Sequence, residues 1–332
     1  RTLVLFPGLA ACTVVGASVG LLGTSRASAQ GLAWPQRPVR LIVPYAPGGT
    51  PDFIARTLGH RLQEQVGQTV VIENRAGAGG NIGTEAIARA TPDAHTIGIG
   101  AVSPLAINVT VYGARMPFDP TRDLAPITTI ATNALVLLVH PSMPAKRFED
   151  LVRIARVKPG YLNYGHAGSG TSNHLIGEMI NQTLALKITP VAFKGAVFSM
   201  SSTIAGEIEM SWGQVPSAFT HLQGRRLRAI AVSGEKRTPT LPDVPTLGES
   251  GLPGFSVQSW YGIVGPAALP RDLIARLNAE TLRALAHPGV RERLNEHGVE
   301  TLGSTPEEFA AFIRAEIVKW ERAVKLSGAR VE

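Results

Sequence analysis

Apolar residues along this chain fall into short continuous runs that alternate with stretches of helical spacing. Val39 to Tyr45 is an apolar run bounded by prolines and reads as a buried strand. A helix is predicted to follow at once, with Thr50 as its N-cap, Pro51 in its first turn, and Ile54, Leu58, Leu62 and Val66 on one face. Thr69 to Glu73 reads as the next strand, Thr84 to Ala90 as a helix and His95 to Gly100 as a third strand. This βαβαβ order predicts an α/β domain with a largely parallel sheet and ligand loops at the carboxyl ends of its strands.

The pattern restarts after residue 130. Ala134 to His140 reads as a strand, Arg147 to Arg156 as a helix, Leu162 to Gly165 as a strand, and Ser172 to Leu186 as a helix with Leu175, Ile176, Met179 and Ile180 inward. Ile188 to Phe193, Met200 to Ala205, Ile208 to Trp212 and Leu227 to Val232 continue the alternation. Pro270 to Ala286 and Pro306 to Leu326 read as long amphipathic helices. The second opens on Thr305, Pro306 and Glu308 as a capping box and carries Phe309, Phe312, Ile313, Ile317 and Trp320. Both are expected to return to the first lobe, because the Pro- and Gly-dense stretch from Pro239 to Phe255 reads as a crossover. The expected organisation is a discontinuous first domain, 31–132 plus 253–332, and a second domain, 133–252. Hinges are expected near Ile130 to Asn133 and Leu252 to Phe255.

Ahead of these elements, residues 3–22 are almost wholly apolar and small, and Ala27 and Ala29 supply the small-residue pattern of a cleavage site. Residues 1–29 therefore read as a secretory leader, with a transmembrane anchor as the length-compatible alternative. The chain opens on Arg1 rather than Met, so part of a basic n-region is expected to be missing. Cys12, the single cysteine, ends a lipobox-like Leu9-Ala10-Ala11-Cys12, yet apolar residues continue beyond it. Cleavage after Ala29 leaves a mature chain without thiol chemistry. The net charge is +7, with Arg1 and Arg26 inside the leader. No basic run stands out, which argues against nucleic acid and for a mild field that collects small anions.

Candidate chemistry sits in three glycine-rich loops, each before a helix: APGGTPD at 46–52, GAGGNIG at 77–83 and GHAGSGTS at 165–172. Such loops point N–H groups outward, and the following helix dipole favours an anion, so a small carboxylate is the expected ligand. Catalytic constellations are absent beyond the leader: from Trp34 onward no Walker loop, GxSxG elbow, HExxH or CxxC spacing occurs. GAGGNIG approaches the dinucleotide fingerprint but has Ile82 where the third glycine belongs. No cofactor is expected. His166 and His174 flank a loop without sharing a helical face, so no metal site is expected either. His174 reads as helix packing or capping, with pocket lining as the alternative.

The strings VPYAPGGTPDFIAR, VVIENRAGAGGNIGTEAIARATPD, FDPTRDLAPIT, LNYGHAGSGTSNHL, FKG at 193–195 and TPTLPDVPTLGESGLPGF closely resemble the Bug family, the periplasmic solute receptors of tripartite tricarboxylate transporters. The similarity runs from about Trp34 to the C-terminus. It implies a two-lobed periplasmic binding protein, type II-like, monomeric, closing around a small organic acid and docking on a membrane permease. Carried over onto this chain, Tyr45, Pro47, Gly48, Gly49 and Asp52 would form one ligand loop, and Ala78, Gly79 and Gly80 the next. Ala101, Val102 and Ser103 would form a third, and Gly168, Ser169, Gly170 and Thr171 would hold the other end of the ligand. Asp52 either meets a polar ligand group or water, or acts only as a helix N-terminal acid.

Departures from the family's usual pattern bear on specificity. The loop Gly100-Ala101-Val102-Ser103-Pro104 keeps one hydroxyl, Phe193 stands where Tyr is common, and Gly213 follows Trp212 where an acid often stands. These changes imply a pocket suited to an aromatic or aliphatic mono- or dicarboxylate, unless water fills the vacancies or the residues miss the pocket. A ligand-presenting sensor is the alternative role. An enzyme using Asp52, Glu85 or His174 as acid or base, and a scaffold without ligand, are further alternatives that no spacing supports.

Overall fold

In the computed structural model, residues 34–327 are described, so the leader and Cys12 lie outside the described residues. The opening βαβαβ pattern forms as strand β1 (Val39–Val43), helix α1 (Thr50–Val66), β2 (Val70–Asn74), α2 (Asn81–Ala88) and β3 (Thr96–Ala101). β1 lies between β2 and β3 and pairs parallel with both, placing Leu41 beside Ile72 and Ile97. α1 buries Ile54, Leu58 and Leu62 of the predicted stripe and leaves Val66 half-buried. Its N-cap is Gly49 rather than Thr50, with no side-chain cap, and Thr50 opens the helix. α2 starts three residues earlier than expected because a 3-10 turn at Ala78–Gly80, with Gly79 and Gly80 at positive φ, feeds straight into it.

A π-helical turn, Ser103–Ile107, leads from β3 into α3 (Asn108–Tyr112). Strand β4 (Leu124–Val139) then runs 16 residues, and only its second half follows the predicted start at Ala134. Next come α4 (Phe148–Val157), β5 (Asn163–His166), α5 (Ser172–Leu184), β6 (Thr189–Ala192), α6 (Ala196–Ile204), β7 (Met210–Gln214), α7 (Val215–Gln223) and β8 (Arg228–Val232). Met200 to Ala205 is thus the end of a helix. β9 (Gln258–Pro266) follows the crossover and, like α7 and a late helix at Pro288–Glu296, was not expected. The chain closes with α8 (Arg271–Ala286), α9 (Pro288–Glu296), β10 (Glu300–Thr301) and α10 (Pro306–Ser327).

The sheet order is β2-β1-β3-β9-β4-β7-β5-β6, with β8 and β10 also paired to β4. The two flanks are parallel, β2-β1-β3 on one side and β7-β5-β6 on the other. The centre is antiparallel, a correction to the mainly parallel expectation. β9 pairs with β3 and with Leu124 to Ala134 of β4. The rest of β4, Leu135 to Val139, pairs with β7 and β8 instead. β4 therefore joins the flanks as one strand, and Ile130 to Asn133 lie inside it.

α10 packs against β4, the Ser103–Ile107 turn and α5, so it spans both flanks instead of returning to one. The Thr305 Oγ1 and Glu308 carboxylate exchange bonds with each other's backbone N–H groups at 3.1 and 2.8 Å, forming the predicted capping box. Phe309, Ile313 and Trp320 are buried in a core that also holds Leu105, Leu137, Tyr164 and Trp212. Inside it the Glu316 carboxylate accepts the indole N–H of Trp260 and of Trp320 at 2.7 and 2.8 Å. Those two bonds satisfy the polar atoms that so aromatic a core buries.

Candidate functional site

Three helices begin at one cavity. Gly49 to Pro51 at the start of α1, Thr171 to Asn173 at the start of α5, and Gly195 to Val197 at the start of α6 all line it. The first N–H groups of a helix have no carbonyl within it to bond. Here the earliest bonds are Phe53 N–H to Gly49 O, His174 N–H to Thr171 O and Phe198 N–H to Gly195 O. Ahead of these lie the N–H groups of Thr50 and Asp52 at α1, where Pro51 has none, and of Ser172, Asn173, Ala196 and Val197 at α5 and α6; all but Asp52 belong to residues that line the cavity. Each helix start carries roughly half a positive charge, so three together present about +1.5. None of the described residues lining the cavity is charged.

Hydroxyls and amides complete the wall. The Thr50 Oγ1, on a residue that lines the cavity, is buried without a hydrogen-bond partner among the described residues. The Tyr45 hydroxyl hydrogen-bonds Ser103, and burial, opposed by that bond, pushes the phenol far above its ordinary pKa. Tyr261, on β9, is pushed up in the same way by burial and by the neighbouring Tyr45. Both phenols stay protonated. Ser172 and Ser259 share a hydroxyl–hydroxyl bond of 3.0 Å across the wall. Ala46, Ala101, Val102, Ala167 and Val197 supply an apolar middle.

Of the residues anticipated from sequence, Tyr45, Gly49, Ala101, Val102, Ser103 and Thr171 line this cavity. Pro47 and Gly48 are exposed outside it. Asp52 lies beneath the first loop: it accepts Gly48 N–H at 2.9 Å, Arg56 Nε at 2.9 Å and Asn74 Nδ2 at 3.0 Å. Burial pushes the carboxyl up, but the bonds from Arg56, Gly48 and Asn74 together outweigh it and hold the pKa below its ordinary value. Of the two readings of Asp52, its contacts match the structural one. Phe193 lays its ring near Gly165, and a Cβ on Gly213 would point at Leu138 and Met200, in the core. Neither lines the cavity, because β7 alternates its faces and turns Gln214 toward the cavity instead. Two of the three positions read as vacated polar groups therefore lie elsewhere.

Ala78, Gly79 and Gly80 form a turn beside the cavity, and Gly168, Ser169 and Gly170 form the loop that meets it. Asn108, fully buried, ties the first turn with bonds to Gly79 O at 3.3 Å and Asn81 Oδ1 at 2.7 Å. A Cβ on Gly170 would fall 2.4 Å from Asn108 Oδ1, and one on Gly79 would fall 2.8 Å from Ser169 O. Both glycines have positive φ, so the approach needs glycine twice over.

Behind the second loop His166 and His174 stack with ring centroids 4.5 Å apart, although sequence spacing did not bring them together. His166 Nδ1 accepts Gly168 N–H and His174 Nδ1 accepts Gly170 N–H. Burial lowers the pKa of His174 to about 4, and burial with the neighbouring His174 lowers that of His166 to about 3. Neutral imidazoles thus act as fixed acceptors that shape the loop. Neither ring lines the cavity, and among the described residues no cluster of metal-ligating side chains occurs. Glu85 is paired with Arg89 at 2.8 Å, away from the cavity.

Sequence reading missed Thr50, Ser172, Asn173, Gln214, Ser259, Tyr261 and the start of α6. The α6 start carried a signal, the Lys194-Gly195 step before an apolar helix. Ser259 and Tyr261 carried none once β9 went unrecognised.

The receptor profile described as "Tripartite tricarboxylate transporter family receptor" matches residues 54–328. A protein encoded in the tcbD-tcbE intergenic region of Pseudomonas sp. strain P51 is 37% identical over 303 residues, 91% of this chain and 90% of that one. Among solved structures, Rpa4515 of R. palustris with adipate superposes with a TM-score of 0.87 at 33% identity, covering 90% of this chain and all of that one. MatC from Rhodopseudomonas palustris with bound malate gives 0.83 at 30% identity, over 87% of this chain and 99% of that one. The chain belongs to the family of tripartite tricarboxylate transporter receptors.

Proposed function

We propose that this protein is a periplasmic receptor that closes around a small dicarboxylate and delivers it to a membrane permease. The observation that carries the reading is the convergence of three helix N-termini on a cavity with no charged lining side chain. One positive end, that of α1, comes from the β2-β1-β3 flank, and two, those of α5 and α6, from the other. A molecule with a carboxylate at each end and a short apolar middle matches that arrangement. Each charge-assisted hydrogen bond contributes about 1.5 to 3 kcal/mol, so three or four, less ordering and desolvation, support micromolar affinity or better.

Closure is the turning of the β2-β1-β3 flank against the β7-β5-β6 flank, with bending where β4 changes partners near Asn133 and where the chain enters β9 at Gln258. Ligand contacts made by both sides favour the closed state. The reading is of a receptor rather than an enzyme, because Asp52, Glu85 and His174 all lie off the cavity wall and have structural partners. The relatives with adipate and malate support an aliphatic acid. The monomeric state and the permease remain part of this proposal and follow the family's transporter setting. In the described residues no helix is long and apolar enough to cross a membrane, and delivery falls to the permease.

Calorimetric titration at neutral pH with succinate, malate, adipate, citrate and aromatic acids tests this. At least one dicarboxylate is expected to bind at micromolar affinity or better, and its diamide at least a hundredfold more weakly. Absence of binding by every acid, with no co-purified acid in mass spectra of the denatured protein, would overturn it.

A further inference from the structure

The far wall of the cavity contains a hydrogen-bond relay whose direction is set by the backbone. Asn173 Nδ2 donates to Trp212 O at 2.7 Å. A backbone carbonyl only accepts, so the amide of Asn173 is oriented with Oδ1 away from it. That Oδ1 accepts Gln214 Nε2 at 3.2 Å, which in turn orients the Gln214 amide. Gln214 is 8% exposed and lines the cavity, and no donor of the described protein reaches its Oε1. The relay thus ends in a fixed acceptor, in a wall whose other polar side chains are mostly hydroxyls, able to donate.

An acceptor there repels a carboxylate oxygen and asks for a donor proton. An ammonium would supply one, but it would sit among three positive helix ends. A neutral hydroxyl satisfies Oε1 at no such cost. Resting on the receptor reading above, we propose that Gln214 is a specificity-determining residue that selects dicarboxylates bearing a hydroxyl beside the carboxylate held at the starts of α5 and α6. An unsubstituted acid leaves Oε1 buried and unpaired, which weakens its binding.

The test compares acids that differ by one hydroxyl, malate against succinate and 2-hydroxyadipate against adipate, by titration calorimetry. Wild type is expected to bind the hydroxy acid roughly tenfold tighter within whichever pair binds. The methyl ether of that acid keeps the oxygen, loses the proton and is expected to lose the preference, a result that requires no variant. Gln214→Leu is expected to bring the ratio near one, by weakening the hydroxy acid and lifting the penalty on the plain one. Equal wild-type binding within each pair, or equal weakening of both acids by Gln214→Leu, overturns the role of Gln214 and leaves the receptor reading standing. Failure of every acid, with no co-purified ligand, overturns the receptor reading and this role with it.

Discussion

A single methyl group separates two kinds of glycine in this protein. Gly170 has φ +78° and its added Cβ would lie 2.4 Å from Asn108 Oδ1, between the loop before α5 and the turn before α2. Gly160 has φ +79° with open space around the same position. Gly160→Ala is expected to cost only backbone strain, about 1 kcal/mol in a urea melt. Gly170→Ala carries the same strain and also pushes the two loops apart, so it is expected to weaken acid binding at least tenfold. Equal affinity in both variants would show that the approach of these loops has no part in binding. The glycines themselves were legible, because three clusters before helices stand out in any reading of the chain. Thr50 was legible only as a cap. That its hydroxyl is instead left without a partner among the described residues depends on Gly49 taking the N-cap, a backbone choice that residue identity does not dictate.

Among the elements, β5 and α5 are tied through the His166–His174 stack, and that tie titrates. The unfolded chain binds protons on both imidazoles near pH 6.5, whereas the folded protein binds them only near 3 and 4. The unfolded state therefore carries the extra protons below pH 6.5, and stability falls as pH drops from there toward 4. Each group contributes up to about 1.4 kcal/mol per pH unit in this window. Urea melts at pH 7.5 and 5.0 are expected to differ by about 2 to 4 kcal/mol, and His174→Gln to flatten the difference. A stability unchanged between these values would contradict the buried neutral pair. Most elements were readable from periodicity. β9 and the first half of β4 were not, for a physical reason. Leu124 to Asn133 carries Pro126 and a run of Thr and Asn, and β9 holds two glycines and ends in Pro266. Their strand character comes from pairing with each other at the sheet centre, a tertiary effect that overrides local propensity. β1 and the start of β2, with their apolar runs Leu41 to Val43 and Val70 to Ile72, needed no such help.

For the protein taken together, the central question is how an uncharged cavity holds an anion. Three helix starts, brought together from two flanks of one sheet, present oriented dipoles that require no desolvated cationic side chain. The glycine loops pointed to this chemistry from sequence, and the cavity's composition did not, because α6, β9 and Gln214 reach it through the topology. The most direct test is a crystal structure with the tightest-binding dicarboxylate in place. One carboxylate is expected within hydrogen-bond reach of the α1 start and Thr50 Oγ1, and the other at the starts of α5 and α6, with no Lys or Arg in contact. An acid bound outside this cavity, or held there by a cationic side chain, would contradict the account.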